Sequence, residues 1–171
     1  DAAQAILRYE LESFVCDGQY EKGLETILDK FLLNLDAGTE QPGVWISGFY
    51  GSGKSHLAKM LRTLWTDYQF ADGATARSLA KLPTGVFEHL KELSMQGRRH
   101  GTLHAAAGKL GAGAGDKVRL ALLGIVFKSK GLPEQYNQAQ FVLWMTREGI
   151  LPTVEAELKS AGRSLAQELP H

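Results

Sequence analysis

Residues 48–55 read GFYGSGKS and match the pattern G-x-x-x-x-G-K-[ST] at every fixed position. Each fixed residue type has a physical reason. Gly48, Gly51 and Gly53 admit backbone conformations closed to other residues, so consecutive N–H groups can turn inward as an anion nest. Lys54 supplies a point charge for the β- and γ-phosphate oxygens of a nucleoside triphosphate, which makes it the candidate catalytic residue. Ser55 offers a hydroxyl to Mg²⁺ at the start of a helix whose dipole also favours an anion. The expected cofactor-binding set is therefore Gly48, Gly51, Ser52, Gly53, Lys54 and Ser55, with Ser55 as the metal-contacting member. With average residue usage, a chance match somewhere in such a chain is about one in a hundred. No N-K-x-D guanine-reading signature occurs, so ATP is preferred over GTP.

A loop of this kind needs a strand before it and a helix after it. Val44, Trp45, Ile46 and Ser47 form a β-branched and aromatic run, bounded by Pro-Gly before and Gly after, which reads as a buried strand. Leu57, Met60, Leu61, Leu64 and Trp65 then share one helical face over residues 56–65. The predicted fold class is accordingly α/β, a P-loop core in which helices dominate and one strand is convincing.

The remaining pattern is helical. A rough stripe of Ile6, Tyr9 or Glu10, Ser13 and Phe14 precedes the Asp17-Gly18 turn signal, and a clearer stripe of Leu24, Ile27, Leu28, Phe31, Leu32 and Leu35 ends near Asp36. Residues 38–43 read as a loop, and Asp72-Gly73 as a turn. Short helices are predicted over residues 74–82 and 85–93. Asp116 is the expected N-cap of a helix containing Val118, Leu120, Leu122, Leu123 and Val126. A further helix after Pro133 has Phe141, Val142, Trp144 and Met145 as its core, and residues 154–169 read as one final polar helix. The domain reading is a helical segment over residues 1–38 and a P-loop region over residues 39–171.

A working P-loop ATPase also needs an acidic strand end, usually four apolar residues followed by Asp-Glu or Asp-Asp, to hold Mg²⁺ and orient water. No such segment is found. The apolar run of residues 122–127 ends in Lys128-Ser129-Lys130, and Asp67 and Asp72 follow no apolar strand. The catalytic half of the site is expected outside this chain, whose first residues already lie within a helical pattern, as in a piece of a longer polypeptide.

Weaker signals have plain readings. The tract GKLGAGAG at residues 108–115 resembles an anion loop, yet no strand precedes it and a surface loop fits better. Arg98, Arg99 and His100 suit an arginine finger or a DNA phosphate patch, but read first as a solvated basic turn. His56 suits helix-start packing as well as a ligand contact, and Phe49 and Tyr50 are read as packing under the loop. With 19 basic against 19 acidic residues there is no global pull towards nucleic acid or an anionic surface. A lone cysteine, Cys16, with no partner histidine at motif spacing reads as inert, and fits an intracellular, cytoplasmic protein.

Residues 43–65, GVWISGFYGSGKSHLAKMLRTLW, resemble the N-terminal ATP-binding region of the large P-loop ATPases of BREX bacteriophage-exclusion systems, the BrxC/PglY type. The resemblance continues through ELESFVCDGQYEKGLETILDKFL at residues 10–32, QGRRHGTLHAAAGKLGAGAGDKVRLALLGIVFKSKGLPEQY at residues 96–136, and FVLWMTREGI at residues 141–150. It implies a portion of a longer, AAA-like ATPase. It further implies ATP and Mg²⁺ as cofactors and, as partners, other defence proteins: a DNA methyltransferase and a phosphatase-like protein, with DNA association through them. The expected function is an ATP-binding module of a phage-defence ATPase, coupling nucleotide binding and hydrolysis to a larger DNA-modifying or restricting complex. Whether this chain is itself an enzyme is left open by the missing acidic site. The rival is a non-catalytic interaction domain with ATP as a structural ligand, and a small-molecule kinase is disfavoured because no lid-like arginine cluster is present.

Overall fold

Apolar residues at helical spacing become helices throughout the residues described by this computed structural model, which are 2–37, 43–110 and 117–169. In chain order these are α1 (Ala2–Glu12), α2 (Gly18–Ala37), α3 (Lys54–Trp65), α4 (Ala76–Leu79), α5 (Thr84–His100), α6 (Val118–Ser129), α7 (Tyr136–Arg147), α8 (Leu151–Ser160) and α9 (Leu165–Glu168). The chain divides into two compact units, Asp1–Ala105 and Ala106–His171. The loop at residues 38–42, much of the glycine-alanine tract and the expected cap Asp116 lie wholly or partly outside the described residues.

In the first unit, α2 packs on α5, α3 on α4 and α5, and α1 on α4. The clear stripe of α2 buries Leu24 and Leu28, and α3 buries Leu57, Met60 and Leu64 against Val86, Leu90 and Leu93 of α5. Each such side chain removed from water stabilises the unit by roughly 1.5–3 kcal/mol. Phe31 meets Trp65 edge-on at 4.5 Å between ring centres, which locks the C-terminal end of α3 onto α2. The rough stripe of α1 resolves differently from expectation. Leu11 and Phe14 are buried, while Ile6 and Tyr9 are exposed.

α4 is short and is held by specific bonds rather than by length. Thr75 and Ser78 form a reciprocal capping box, with Ser78 N–H donating to Thr75 Oγ1 and Thr75 N–H donating to Ser78 Oγ at 3.0 Å. Arg77 enters the core from this helix. Its guanidinium donates to the carbonyls of Leu64 and Leu90 and to Ser94 Oγ, each at 2.7 Å, and to the carbonyl of Trp65 at 3.0 Å. It thereby satisfies the Trp65 carbonyl at the end of α3, adds a second donor to the Leu64 carbonyl that Asp67 N–H already reaches, and ties both to α5. Burial pulls the Arg77 pKa below its usual value, and the nearby Asp67 opposes that shift.

The α/β expectation is overturned. Among the described residues there is no strand, and the only β-type pairing is an isolated antiparallel bridge between Gln69 and Thr75. This part of the protein is all-α. Val44, Trp45, Ile46 and Ser47 run through irregular backbone, with Val44 about half exposed and Trp45 90% exposed. The physical reason is that a β-branched run has a preference for a pleated, half-buried surface, not an intrinsic ability to make one. Without a neighbouring strand its backbone groups have no ladder to join.

Three further expectations change. Arg98, Arg99 and His100 are the last turn of α5, not a turn of loop, and the helix stops at Gly101, whose φ is 124°. The final polar helix is two helices, α8 and α9, separated where Gly162 adopts φ 70° and Ser164 caps the second. In the second unit α7 buries Val142 and Met145 as expected, but Phe141 and Trp144 lie about half exposed and stack on each other at 5.8 Å. Among the described residues no helix is long and apolar enough to cross a membrane.

Candidate functional site

The six residues singled out for phosphate chemistry lie together on a turn that delivers the chain into α3. Ser52 N–H donates to the Phe49 carbonyl at 3.2 Å, closing a tight turn in which Gly51 has φ 80°. A positive φ at that place in a turn is what glycine supplies without steric cost. Gly53 follows as the N-cap of α3 in the left-handed region, φ 79° and ψ 8°, and its carbonyl accepts the Leu57 N–H at 2.8 Å. Lys54 and Ser55 are then the first two residues of α3, where helical N–H groups have no partner within the helix.

The Lys54 ammonium folds back over the loop. It donates to the carbonyls of Gly48 at 2.9 Å and Phe49 at 2.6 Å, and to Ser52 Oγ at 3.3 Å. All three of its donors are occupied by the loop itself. A cation is thus held beside the glycines, on carbonyls that a charged oxygen would replace with a stronger class of hydrogen bond.

A cavity of about 880 Å³ opens against this loop. One wall is residues 44–49 with Ser52, Lys54 and Leu57; the other is Asp17 and the N-terminal part of α2 that follows it, including Gln19, Tyr20 and Lys22. The α2 wall is what sequence reasoning missed. Asp17 registered only as half of a turn signal, and Tyr20 carried no motif. Tyr20 nevertheless donates its hydroxyl to the Ser52 carbonyl at 2.7 Å across 32 residues of sequence. No pattern of spacing reports a contact of that range.

Ser55 is exposed on the first turn of α3. Among the described residues no three His, Cys, Asp or Glu side chains come together as a metal cluster. Asp17 is the one carboxylate among the described residues lining the cavity.

No protein-family model matches the chain, and no solved structure matches it. The site therefore rests on its own residues.

Of the other candidates only Phe49 lines the cavity. Arg98, Arg99 and His100 sit on the exposed end of α5, where positive charge is favoured by the helix dipole. His56 meets Phe14 edge-on at 5.8 Å, so it packs the start of α3 against the core. Phe49 and Tyr50 do not pack under the loop: they are 91% and 106% exposed. Cys16 is buried, and burial, followed by the charges of Glu21, Asp17 and Glu25, raises its thiol pKa to about 11. Such a thiol stays protonated and unreactive at neutral pH.

Proposed function

We propose that residues 48–55 bind the triphosphate of ATP with Mg²⁺, and that this chain is the nucleotide-binding module of an ATPase of the BREX phage-defence type. The observation that carries the reading is the placement of Lys54. Its ammonium lies over a turn built on left-handed Gly51 and Gly53, at the first residue of a helix and beside a cavity large enough for a nucleotide. In this reading the N-terminal amides of α3 and the glycine amides cradle phosphate oxygens, Lys54 neutralises the β- and γ-phosphates, and Ser55 contacts Mg²⁺. Bound Mg²⁺ supplies charge neutralisation of the phosphates. The cytoplasm, and a defence complex containing a methyltransferase and a phosphatase-like protein, are the setting that goes with this proposal, and any DNA contact is made through those partners.

The test is a titration of the chain with Mg·ATP. Lys54→Ala should weaken binding tenfold or more, because a charge-assisted contact contributes about 1.5–3 kcal/mol and 1.4 kcal/mol is tenfold. Equal affinity in variant and parent would remove the phosphate-loop assignment.

A second reading treats ATP as a structural ligand that holds α2 against the loop in a non-catalytic interaction domain. It is favoured by the cavity wall, in which Asp17 is the lone carboxylate among the described residues. Steady hydrolysis by this chain on the order of 1 s⁻¹, abolished by Lys54→Ala, would decide for the enzyme.

A further inference from the structure

Gly51 and Gly53 create a problem as well as a site. Gly53 occupies positive and negative φ at similar cost, so the Ser52–Gly53 peptide that precedes its Cα can turn over at low steric cost. One orientation presents the Gly53 N–H to an anion. The other presents the Ser52 carbonyl, whose negative end repels a phosphate. A loop that binds phosphate must therefore have something that selects the first orientation.

The contact that can do so comes from α2. The Tyr20 ring is partly buried against the core cluster, which anchors it, and its hydroxyl donates to the Ser52 carbonyl at 2.7 Å. In a trans peptide the carbonyl and the following N–H point in opposite directions, and none of the described peptides is cis. Holding the Ser52 carbonyl on the Tyr20 hydroxyl holds the Gly53 N–H on the opposite side of the same peptide plane. The hydroxyl also stands where a Gly53 side chain would be, 2.3 Å from an ideal Cβ. The two residues are thus fitted to each other.

We propose that Tyr20 is a positioning residue of the phosphate loop, which fixes the Ser52–Gly53 peptide with its carbonyl on α2 and its N–H free for a phosphate oxygen. The inference rests on reading residues 48–55 as a phosphate loop. It assigns α2 a part in anion binding that involves no contact between Tyr20 and the ligand.

The experiment titrates parent, Tyr20→Phe and Lys54→Ala chains with Mg·ATP and, separately, with inorganic tripolyphosphate, alongside the thermal midpoint of each unliganded chain. Tyr20→Phe keeps the ring and removes only the hydroxyl. It should weaken ATP and tripolyphosphate by the same factor, about fivefold for one hydrogen bond. A purely structural role would lower the thermal midpoint and leave tripolyphosphate affinity at the parent value, and that result overturns the proposal. A loss confined to ATP also overturns it, since it places the hydroxyl on the nucleoside. Parental binding by Tyr20→Phe together with weakened binding by Lys54→Ala removes the role of Tyr20 and leaves the phosphate loop standing. Parental binding by Lys54→Ala removes both.

Discussion

The Cβ that Gly53 lacks would lie 2.3 Å from the Tyr20 hydroxyl oxygen, and 3.5 Å from the ring carbon that carries it. Gly53→Ala therefore meets two penalties: a left-handed φ of 79°, which costs a non-glycine residue about 1–2 kcal/mol, and a steric clash. We expect Gly53→Ala to lose tenfold or more in ATP affinity. Adding Tyr20→Phe removes the oxygen and leaves an ordinary contact, so the double variant should bind ATP more tightly than Gly53→Ala alone. Titrating the four chains of this cycle checks it, and a double variant no better than Gly53→Ala contradicts the fitted pair.

Arg77 should be the polar side chain on which the first unit depends most. Arg77→Ala removes the hydrogen bonds donated to the carbonyls of Leu64, Trp65 and Leu90 and to Ser94 Oγ, and leaves an unfilled space where the guanidinium lay buried. Hydrogen bonds to a charged group contribute about 1.5–3 kcal/mol each, so a loss of about 3 kcal/mol or more is expected. Arg77→Lys should recover little, because one ammonium cannot reproduce a planar fork of donors. Urea unfolding provides the measurement, read as a shift in midpoint at constant slope. A loss under about 1 kcal/mol would contradict the hub.

Cys16 makes stability depend on pH at the alkaline end. Its pKa is about 11 in the fold against 9.0 for the free thiol. Between those values the unfolded chain sheds the proton and the native chain keeps it, so the unfolded state binds fewer protons and stability falls as pH rises. The contribution is full below pH 9 and is lost by about pH 11. Parent minus Cys16→Ala unfolding free energy should therefore decline across that window by up to about 2 kcal/mol, with tyrosine and lysine titrations cancelling in the difference. At pH near 8, iodoacetamide should label the native chain far more slowly than the urea-unfolded one.

Duplex DNA should bind weakly to this chain. Its formal charge is zero, and the compact basic cluster Arg98–His100 is one exposed helix end. Neutralising about two or three phosphates, with a slope near −0.9 per phosphate in log affinity against log salt, supports only salt-sensitive association. Fluorescence anisotropy at about 150 mM salt should show no tight binding. Nanomolar affinity lost in Arg98→Ala with Arg99→Ala would make the end of α5 a DNA site.

What the chain announced without tertiary information was whatever neighbours in sequence decide among themselves. The Leu24 and Leu28 stripe of α2, the Leu57, Met60 and Leu64 face of α3, and the glycines that set Gly51 and Gly53 at positive φ are all of this kind. Helical hydrogen bonds close within one turn, so periodicity suffices to predict them. Helix ends are less local: α5 runs through Gly97 and on through Arg98, Arg99 and His100, and stops only where Gly101 takes φ 124°.

Tertiary structure decided the pairings. Val44, Trp45 and Ile46 have the residue types of a strand, but a strand exists only beside another, and that partner is a non-local choice. Phe141 and Trp144 have core-type side chains, yet the face of α7 that packs is the one bearing Val142 and Met145. Tyr20 reaches the loop from 32 residues away, and Arg77 joins three carbonyls drawn from α3 and α5. Long-range contacts like these carry no local periodic signature, because the free energy that selects them comes from desolvated polar groups finding donors only once distant helices have packed.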